Sequence, residues 1–487
     1  MNRRQFIKQA ACGTAAIVIG SRLPFFPSAA RASESNVIEL GMTTADVEMV
    51  DGIIVPHWVY TANNTTATLP GPVIFAYTDE SFTIRVFNNI IGRDRSFVIV
   101  GRNGTNPFAH VIASDPISFG QSAEVTVNAG ALKPGTYFYK DPTLEPVSRV
   151  LGLHGALIIL PATDDPIQNN PYGSFCNPYP NVKQLFADLG SGTPLRGPDA
   201  LFPGEPWFAT TADNPSYKPN VLPPSSDADW YHRNKFLHAP TFEKFYYRTR
   251  VWLHTSIDPV LNKWAIEGIT PPAPIPAYDI TDPVAVRDNH LPQYFSINGR
   301  QGAYCSNSHD ITLAGTVGQP HLVRMINVGM LTQAPHFHAN HVYPVADNNV
   351  IGGFVHYVGT LDAGQVFDQD NIVLVDTITL GPQSRYDLVF PFIRPPDIPR
   401  VTGIDGQLLP LAEMLQGELN TVLIVPQDPL TYPMHCHTEM AQTAAGGNYP
   451  QGQVVHLEIF GEFGKFFKPR KYGANIVPRI APLLLNE

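Results

Sequence analysis

The chain has 487 residues and a formal net charge of −10, with 44% hydrophobic and 10% aromatic residues. This length and apolar content suit folded domains, and the abundant aromatic side chains exclude an intrinsically disordered chain. The acidic balance argues against nucleic acid or an anionic membrane surface as a partner.

Residues 1–32 are predicted to be an export signal. Arg3 and Arg4 begin a motif of the twin-arginine type, an apolar stretch follows at 10–20, and Ala30-Arg31-Ala32 offers a small-residue cleavage site. A frayed terminus or an anchor is the alternative interpretation. The stretch is too short to span a bilayer comfortably, and no later segment is apolar and long enough to do so. We therefore expect a periplasmic or secreted protein with no membrane span after signal removal.

The mature chain would be strongly acidic and would keep three cysteines. Removing residues 1–32 leaves 27 Lys and Arg against 42 Asp and Glu, a formal charge of −15. In an oxidising compartment Cys176 and Cys305 could form a disulfide, which would leave Cys436 as the odd cysteine. Because Cys436 is flanked by histidines, the sequence mildly favours a ligand role for it.

Short alternating runs, divided by Gly, Pro and Asn turns, dominate the rest of the chain and are typical of β-sandwiches. The mature length is too great for one sandwich, so we predict two. The predicted strands lie at 81–87, 135–139, 156–160, 322–327, 377–380, 386–390 and 454–460.

The predicted division of the chain follows from a composition change. A region rich in Pro, Asn, Asp, Ser and Gly separates two strand-rich parts and reads as a long irregular linker. We expect the first domain at 33–162, the linker at 163–243, the second domain at 244–465 and a tail at 466–487.

Two histidine pairs are the strongest sign of chemistry. His336 and His338 form one His-x-His pair, and His435 and His437 form another on either side of Cys436. Alternate residues of a strand share a face, so each pair points one way and Cys436 points the other way. Imidazole is the commonest transition-metal ligand. The alternative is that these are core or surface histidines, with Cys436 a small buried hydrophobe.

Several segments carry a resemblance to a known family. They are residues 69–74, 82–89, 133–139, 152–158, 294–300, 324–329 and 376–380, together with Met434-His435-Cys436-His437. In this combination the chain resembles the laccase-like multicopper oxidase family. The resemblance implies an all-β fold of two cupredoxin-like Greek-key β-sandwich domains joined by the long linker. It also implies copper as cofactor, in a number that the sequence leaves open.

The resemblance implies four His-x-His pairs around a three-copper cluster, and this chain has two of them. His336 and His338 match the third pair, and His435 and His437 match the fourth. The first pair is replaced by Val98 and Val100, and the second by Lys140 and Pro142.

The resemblance also implies a blue-copper centre at Cys436, through which electrons would enter, so that Cys436 is both a predicted ligand and the predicted catalytic residue. Such a centre needs two histidines and often an axial methionine beside the sulfur. The matching positions hold Gln333, Ala441 and Gly446 instead. Residues left open as substitutes are Met434, Met440, His341 and His456.

Three functions remain open from the sequence. The first is an exported copper-binding oxidoreductase with an incomplete copper set that oxidises a small organic or metal-ion substrate. A second subunit of a homo-oligomer could complete its metal set. The second is a non-catalytic protein that holds copper, zinc or manganese on His336, His338, His435 and His437. The third is a degenerate cupredoxin scaffold that binds other proteins in the cell envelope.

Overall fold

The computed structural model describes residues 16–18, 37–62, 64, 66–162, 164–167, 170–190, 249–269, 277–308, 311–317, 320–352, 372–392 and 430–462. The predicted tail, nearly all of the predicted export signal and most of the predicted linker lie outside these residues. The export signal and the domain boundaries therefore stay predictions.

The first β-sandwich has a six-stranded and a five-stranded sheet around one apolar core. Its strands in the described residues are β1 (Ala16–Val18), β2 (Val37–Glu48), β3 (Ile54–Ala62), β4 (Thr66–Thr68), β5 (Val73–Tyr77), β6 (Phe82–Asn88), β7 (Val98–Asn103), β8 (Asn106–Ala113), β9 (Ser122–Val127), β10 (Gly135–Lys140) and β11 (His154–Leu160). The sheets run β1-β5-β11-β10-β7-β8 and β4-β3-β2-β6-β9. Because alternate side chains share a face, Ile84 and Val86 of β6 meet Leu157 and Ile159 of β11 in the core.

The second β-sandwich has a six-stranded and a four-stranded sheet. Its described strands are β12 (Thr249–Ile257), β13 (Tyr294–Ile297), β14 (Leu313–Val317), β15 (His321–Asn327), β16 (Pro335–Phe337), β17 (Tyr343–Asp347), β18 (Val350–Ile351), β19 (Arg385–Phe390), β20 (Leu430–Cys436) and β21 (Val454–Glu462). The sheets run β13-β12-β15-β19-β17-β18 and β14-β21-β20-β16. Trp252 and Met325 of the larger sheet pack in one core with Phe337, Met434 and Leu457 of the smaller sheet. The predicted all-β class with two sandwiches is confirmed.

Six of the seven predicted strands are present, and the exception is the segment 377–380. This segment lies beside β16 but is joined to it by isolated bridges, His336 with Thr377 and Gln333 with Leu380. The cause is Pro335, which accepts a hydrogen bond from the Ile378 amide (3.2 Å) but has no N–H to return one. A regular ladder is therefore interrupted at this residue.

Short helices connect the strands. In the described residues they are α1 (Val147–Val150), α2 (Pro180–Gly190), α3 (Pro259–Glu267), α4 (Pro283–Asn289) and α5 (Gly302–Ser306), with 3-10 helices at Gly173–Cys176 and Glu439–Gln442. None of these helices is long and apolar enough to cross a membrane. Although α2 falls inside the predicted linker, Leu185 and Phe186 pack with Tyr343 and Val389 of the second sandwich. Part of the linker is therefore ordered structure.

The disulfide left open for Cys176 and Cys305 does not form. Cys176 is buried in the cluster around α2, and Cys305 is buried in the core of the second sandwich. The two side chains therefore belong to separate apolar environments, and both remain thiols.

The two sandwiches meet across an apolar surface, which we call the seam. Val98 and Val100 of β7 and Ile158 of β11 pack there with Leu253 of β12 and Ile326 of β15. These are side chains of the outer face of each six-stranded sheet, because the alternate residues of the same strands fill the two cores. The first sandwich thus covers the outer face of the larger sheet of the second.

Polar contacts flank the seam. Nη1 of Arg149 donates to the carbonyl oxygens of Val328 and Gly329, both at 2.7 Å. Arg324 forms a buried ion pair with Asp387 (2.9 Å), and Asp387 also accepts from Thr136 of the first sandwich. Hydrogen bonds to buried charged groups restore part of the desolvation cost, so these contacts define the orientation of the two sandwiches.

Two fully buried histidines make the first sandwich sensitive to acid. Nδ1 of His57 donates to the Val55 carbonyl (2.9 Å) and Nδ1 of His154 to the Arg149 carbonyl (2.7 Å), while both Nε2 atoms are buried without a partner. Burial lowers the pKa of each to about 4 from 6.5. The folded state favours the neutral rings. Their contribution to the free energy of unfolding is therefore fully present above pH 6.5 and is lost as the pH falls towards 4.

We expect His154→Gln to reduce this acid sensitivity. Between pH 7 and pH 4 the free energy of unfolding of the wild type should fall by about 3 kcal/mol more than that of the variant, since 2.5 pKa units are removed. Urea unfolding at each pH measures the difference. His341→Gln, which changes an exposed histidine, is the matched control and should lose as much stability as the wild type. The prediction would be contradicted if the free energy of unfolding fell equally with pH in the wild type, in His154→Gln and in His57→Gln.

Candidate metal site

Strand pairing brings the two His-x-His pairs together. β16 and β20 pair antiparallel, with Pro335 opposite Cys436, His336 opposite His435 and Phe337 opposite Met434. Residues directly opposite in an antiparallel pair share a face, so His336 and His435 lie side by side. The backbone continues this register, since the His338 amide donates to the Pro433 carbonyl (3.2 Å).

Four imidazoles therefore meet on the outer face of the smaller sheet. The ring centroids of His336 lie 4.6 Å from His338, 5.5 Å from His435 and 4.4 Å from His437. Nitrogen atoms of His336, His338 and His435 all lie within 4.8 Å of one another. His437 is exposed and lies beside this group without belonging to it. We call His336, His338 and His435 the histidine group.

Burial keeps the histidine group neutral. Desolvation is the largest cause of the lowered pKa of His336, which falls to about 4, and the nearby charges of His338 and His437 lower it further. Burial likewise lowers the pKa of His338 and of His435. Neutral imidazoles offer a lone pair to a metal ion, so the group is ready to bind one near neutral pH.

Hydrogen bonds orient His336. Its Nδ1 bonds to Oγ1 of Thr377 (2.9 Å) and lies 3.8 Å from a carboxylate oxygen of Asp376. A ligand histidine commonly uses its second nitrogen in this way, which leaves Nε2 for the metal. The sequence assigns residues 376–380 to the fold only, so it does not identify Thr377 and Asp376 as candidate site residues.

The spacing of His338 and His435 fits one transition-metal ion. Nε2 of His338 and Nε2 of His435 are 3.1 Å apart. Two nitrogens bound at about 2.0–2.1 Å to one ion, at angles of roughly 90–110°, would lie about 2.9–3.4 Å apart. The same distance allows an N–H···N hydrogen bond between the two rings. Nδ1 of His435 is buried without a partner.

Cys436 points away from the histidines into the protein. Its side chain is buried against Phe295, Leu331 and Ala441. The thiol donates to Oε1 of Gln333 (3.2 Å), and the sulfur accepts from the Ala334 amide (3.1 Å). Burial raises the pKa of the thiol, which disfavours the thiolate that a metal needs.

These surroundings do not fit a blue-copper group. Gln333 and Ala441 occupy the positions where the sequence resemblance implies imidazoles, and in the described residues no cluster of three metal-ligating side chains includes Cys436. His456 lies opposite Pro433, which places it on the same outer face as His435. Of the other substitutes left open, Met434 is buried in the sandwich core, whereas Met440 and His341 are exposed.

The positions of the two missing pairs lie elsewhere. Val98 and Val100 fill the seam, and Lys140 is buried with Nζ 3.1 Å from Glu145 and 2.8 Å from Oε1 of Gln383. The seam is on the outer face of the larger sheet, whereas the four histidines are on the outer face of the smaller sheet. The two halves of the expected cluster therefore face different sides of the second sandwich.

Comparison with known proteins gives structural neighbours only. No family model matches the chain, and no curated protein sequence matches it. A blue copper oxidase from Nitrosomonas europaea is 14% identical, covering 88% of this chain and 86% of its own, with a TM-score of 0.45. The multicopper oxidase mgLAC is 14% identical over 87% and 86%, with a TM-score of 0.46. A third structure, described as a multicopper oxidase, is 14% identical over 87% and 88%, with a TM-score of 0.42.

These three solved structures are described as a blue copper oxidase and two multicopper oxidases. Each is a protein to which this chain is similar, and the chemistry of the site is taken from its own residues.

We expect Thr377→Val to weaken metal binding at the histidine group roughly tenfold. Loss of a hydrogen bond that orients a ligand histidine typically lowers metal affinity by about 10–100-fold. Valine keeps the shape but cannot bond to Nδ1 of His336. Competition with a chelator measures the affinity. Thr126→Val, which removes an exposed threonine hydroxyl in the first sandwich, is the control and should bind as the wild type does. Equal affinities of all three proteins would contradict the role of Thr377.

Proposed function

We propose that this protein is an exported copper-binding oxidoreductase that holds a single copper ion on His336, His338 and His435. The observation that carries the proposal is the convergence of three imidazole groups, with nitrogen atoms within 4.8 Å of one another, on one sheet face. A bound copper ion would supply a one-electron redox centre. The donor set, all neutral imidazole, suits copper among other transition metals.

The protein would supply rigidity and a partly shielded surface. β16 and β20 hold His336 and His435 directly opposite each other, and Thr377 orients His336. His437 is exposed at the edge of the group and could act as a further ligand or leave a position open to substrate. Sites with three protein ligands and an open position are typical of catalysis, whereas closed sites are typically structural.

The proposed substrate is a small organic molecule or a metal ion. Reduction of dioxygen to water takes four electrons, and one ion on three histidines is poorly suited to that on its own. Asp376 is half-exposed next to His336, and Glu439 is exposed two residues after His437. These carboxylates would favour a cationic substrate over an anionic one, with a strength that falls as ionic strength rises.

Export and assembly belong to the same proposal. The twin-arginine motif at Arg3 and Arg4 supports a periplasmic or secreted location, and the acidic mature charge supports a partner other than nucleic acid. A homo-oligomer in which a second copy approaches the exposed His437 would be compatible with this site.

A non-catalytic metal-binding protein is the second candidate. It is favoured by the environment of Cys436, whose thiol bonds to Gln333 and has, in the described residues, no group of metal ligands around it that would hold a second redox centre. Zinc, which is redox-inactive, also binds neutral imidazoles. In that case the protein would bind metal stoichiometrically but would not oxidise a reducing substrate.

Metal analysis of histidine variants tests the proposal. We expect the purified mature protein to bind about one copper ion per chain, and His338→Ala and His435→Ala to bind less than about a tenth of that, because each removes one of three ligands. His341→Ala, an exposed histidine three residues beyond His338, is the matched control and should keep full occupancy. Unchanged metal content in His338→Ala and His435→Ala would show that the site is wrong.

Oxidation of a reducing dye by the copper-loaded protein separates the two candidates. Turnover that disappears in His435→Ala supports the oxidoreductase. Stoichiometric copper or zinc without turnover supports the non-catalytic protein.

A further inference from the structure

We propose that Cys436 is a positioning residue for the histidine group and not a copper ligand. The inference deepens the proposed function, on which its metal-binding part rests. Cys436 is the residue through which the sequence resemblance implies that electrons enter.

The sulfur of Cys436 takes the place of a backbone acceptor between two segments. The His437 amide donates to the Ala334 carbonyl (2.8 Å), which is an ordinary link between β20 and the residue just before β16. The return bond, from the Ala334 amide, goes to Sγ of Cys436 (3.1 Å) and not to a carbonyl. The side chain therefore completes the strand pairing at the end that carries the histidines.

The thiol hydrogen makes a second link. It points to Oε1 of Gln333 (3.2 Å), and Gln333 exchanges two backbone hydrogen bonds with Leu380, at 3.0 and 2.8 Å. Cys436 thus joins β20 to the segment that also contains Thr377, which orients His336. The sulfur thus bonds to residues 333 and 334, just before β16, and Gln333 passes the link on to the segment that contains Leu380 and Thr377.

Both hydrogen-bonding directions of the thiol are used, by Gln333 and Ala334, and Thr438 also bonds to the sulfur. Phe295, Leu331 and Ala441 pack around the side chain, which is 1% exposed. A copper ion bound to the sulfur would have to displace the Gln333 contact and would find no imidazole among these neighbours. The geometry suits a buried thiol that holds its surroundings together.

Serine and valine variants separate the positioning role from a ligand role. Serine can accept from Ala334 and donate to Gln333, whereas valine has a similar shape and can do neither. We expect copper-loaded wild type to lack the intense visible band of a copper–thiolate bond. Cys436→Ser should bind as much copper per chain as the wild type and show the same electron paramagnetic resonance spectrum. Cys436→Val should bind copper roughly tenfold more weakly, because residues that support metal ligands typically contribute this much to affinity. Its electron paramagnetic resonance spectrum should differ from that of the wild type.

Hydrogen exchange of the metal-free protein gives a readout that does not depend on metal binding. The Ala334 amide should exchange at least tenfold faster in Cys436→Val than in wild type, and Cys436→Ser should restore protection. Amides of β6, in the first sandwich, should be unchanged in both variants and serve as the control for folding.

An intense thiolate band in the wild type that disappears in Cys436→Ser would overturn the inference. So would Ala334 exchange and copper affinity in Cys436→Val equal to those of the wild type. Failure of the proposed function looks different: the wild type would bind no copper, or His435→Ala would bind as much as the wild type, while the exchange result for Ala334 would stand.

Discussion

The antiparallel pairing of β16 with β20 is the constraint on which the site depends. It sets His336 opposite His435, and the alternation of a strand then sends His338 and His437 to the same side. A shift of β16 by one residue against β20 would turn Phe337 to the outside and His336 into the core. The register is strongly specified, because the apolar side chains of Phe337 and Met434 fill the core of the second sandwich.

The residues at the positions where the resemblance implies histidines contribute to packing instead. Val98 and Val100 contribute apolar area to the seam, and full burial of a side chain of this size stabilises by roughly 1.5–3 kcal/mol. Lys140 is balanced by Glu145, which also pairs with Arg149 at 2.7 Å. Val98 and Val100 thus help to hold the two sandwiches together.

The sequence predicted the features that are local in the chain. Alternating runs of apolar residues predicted most of the strands. The i, i+2 spacing predicted that the histidines of each pair share a face and that Cys436 points to the other face. Contacts between distant residues were beyond its reach. Thr377 meets His336 from 41 positions away, and Gln333 meets Cys436 across 103 positions.

Other differences have local physical causes that act only in three dimensions. The segment 377–380 has a strand-like pattern, but Pro335 on its neighbour cannot complete the ladder. Helix α2 lies within a composition typical of linkers, yet Leu185 and Phe186 find an apolar surface on the second sandwich. The contact between the two sandwiches likewise depends on packing. The spacing of residues along the chain does not predict which outer face of each sandwich forms it.

The seam also determines what histidines at positions 98 and 100 would do. Histidines reintroduced at positions 98 and 100 would lie among Leu253 and Ile326, where an unpaired polar ring costs about 1–3 kcal/mol. They would also lie on the opposite side of the second sandwich from His336 and His435, so they would add cost without adding a ligand to the site. Within one chain, the geometry therefore confines the candidate metal site to the histidines on the smaller sheet.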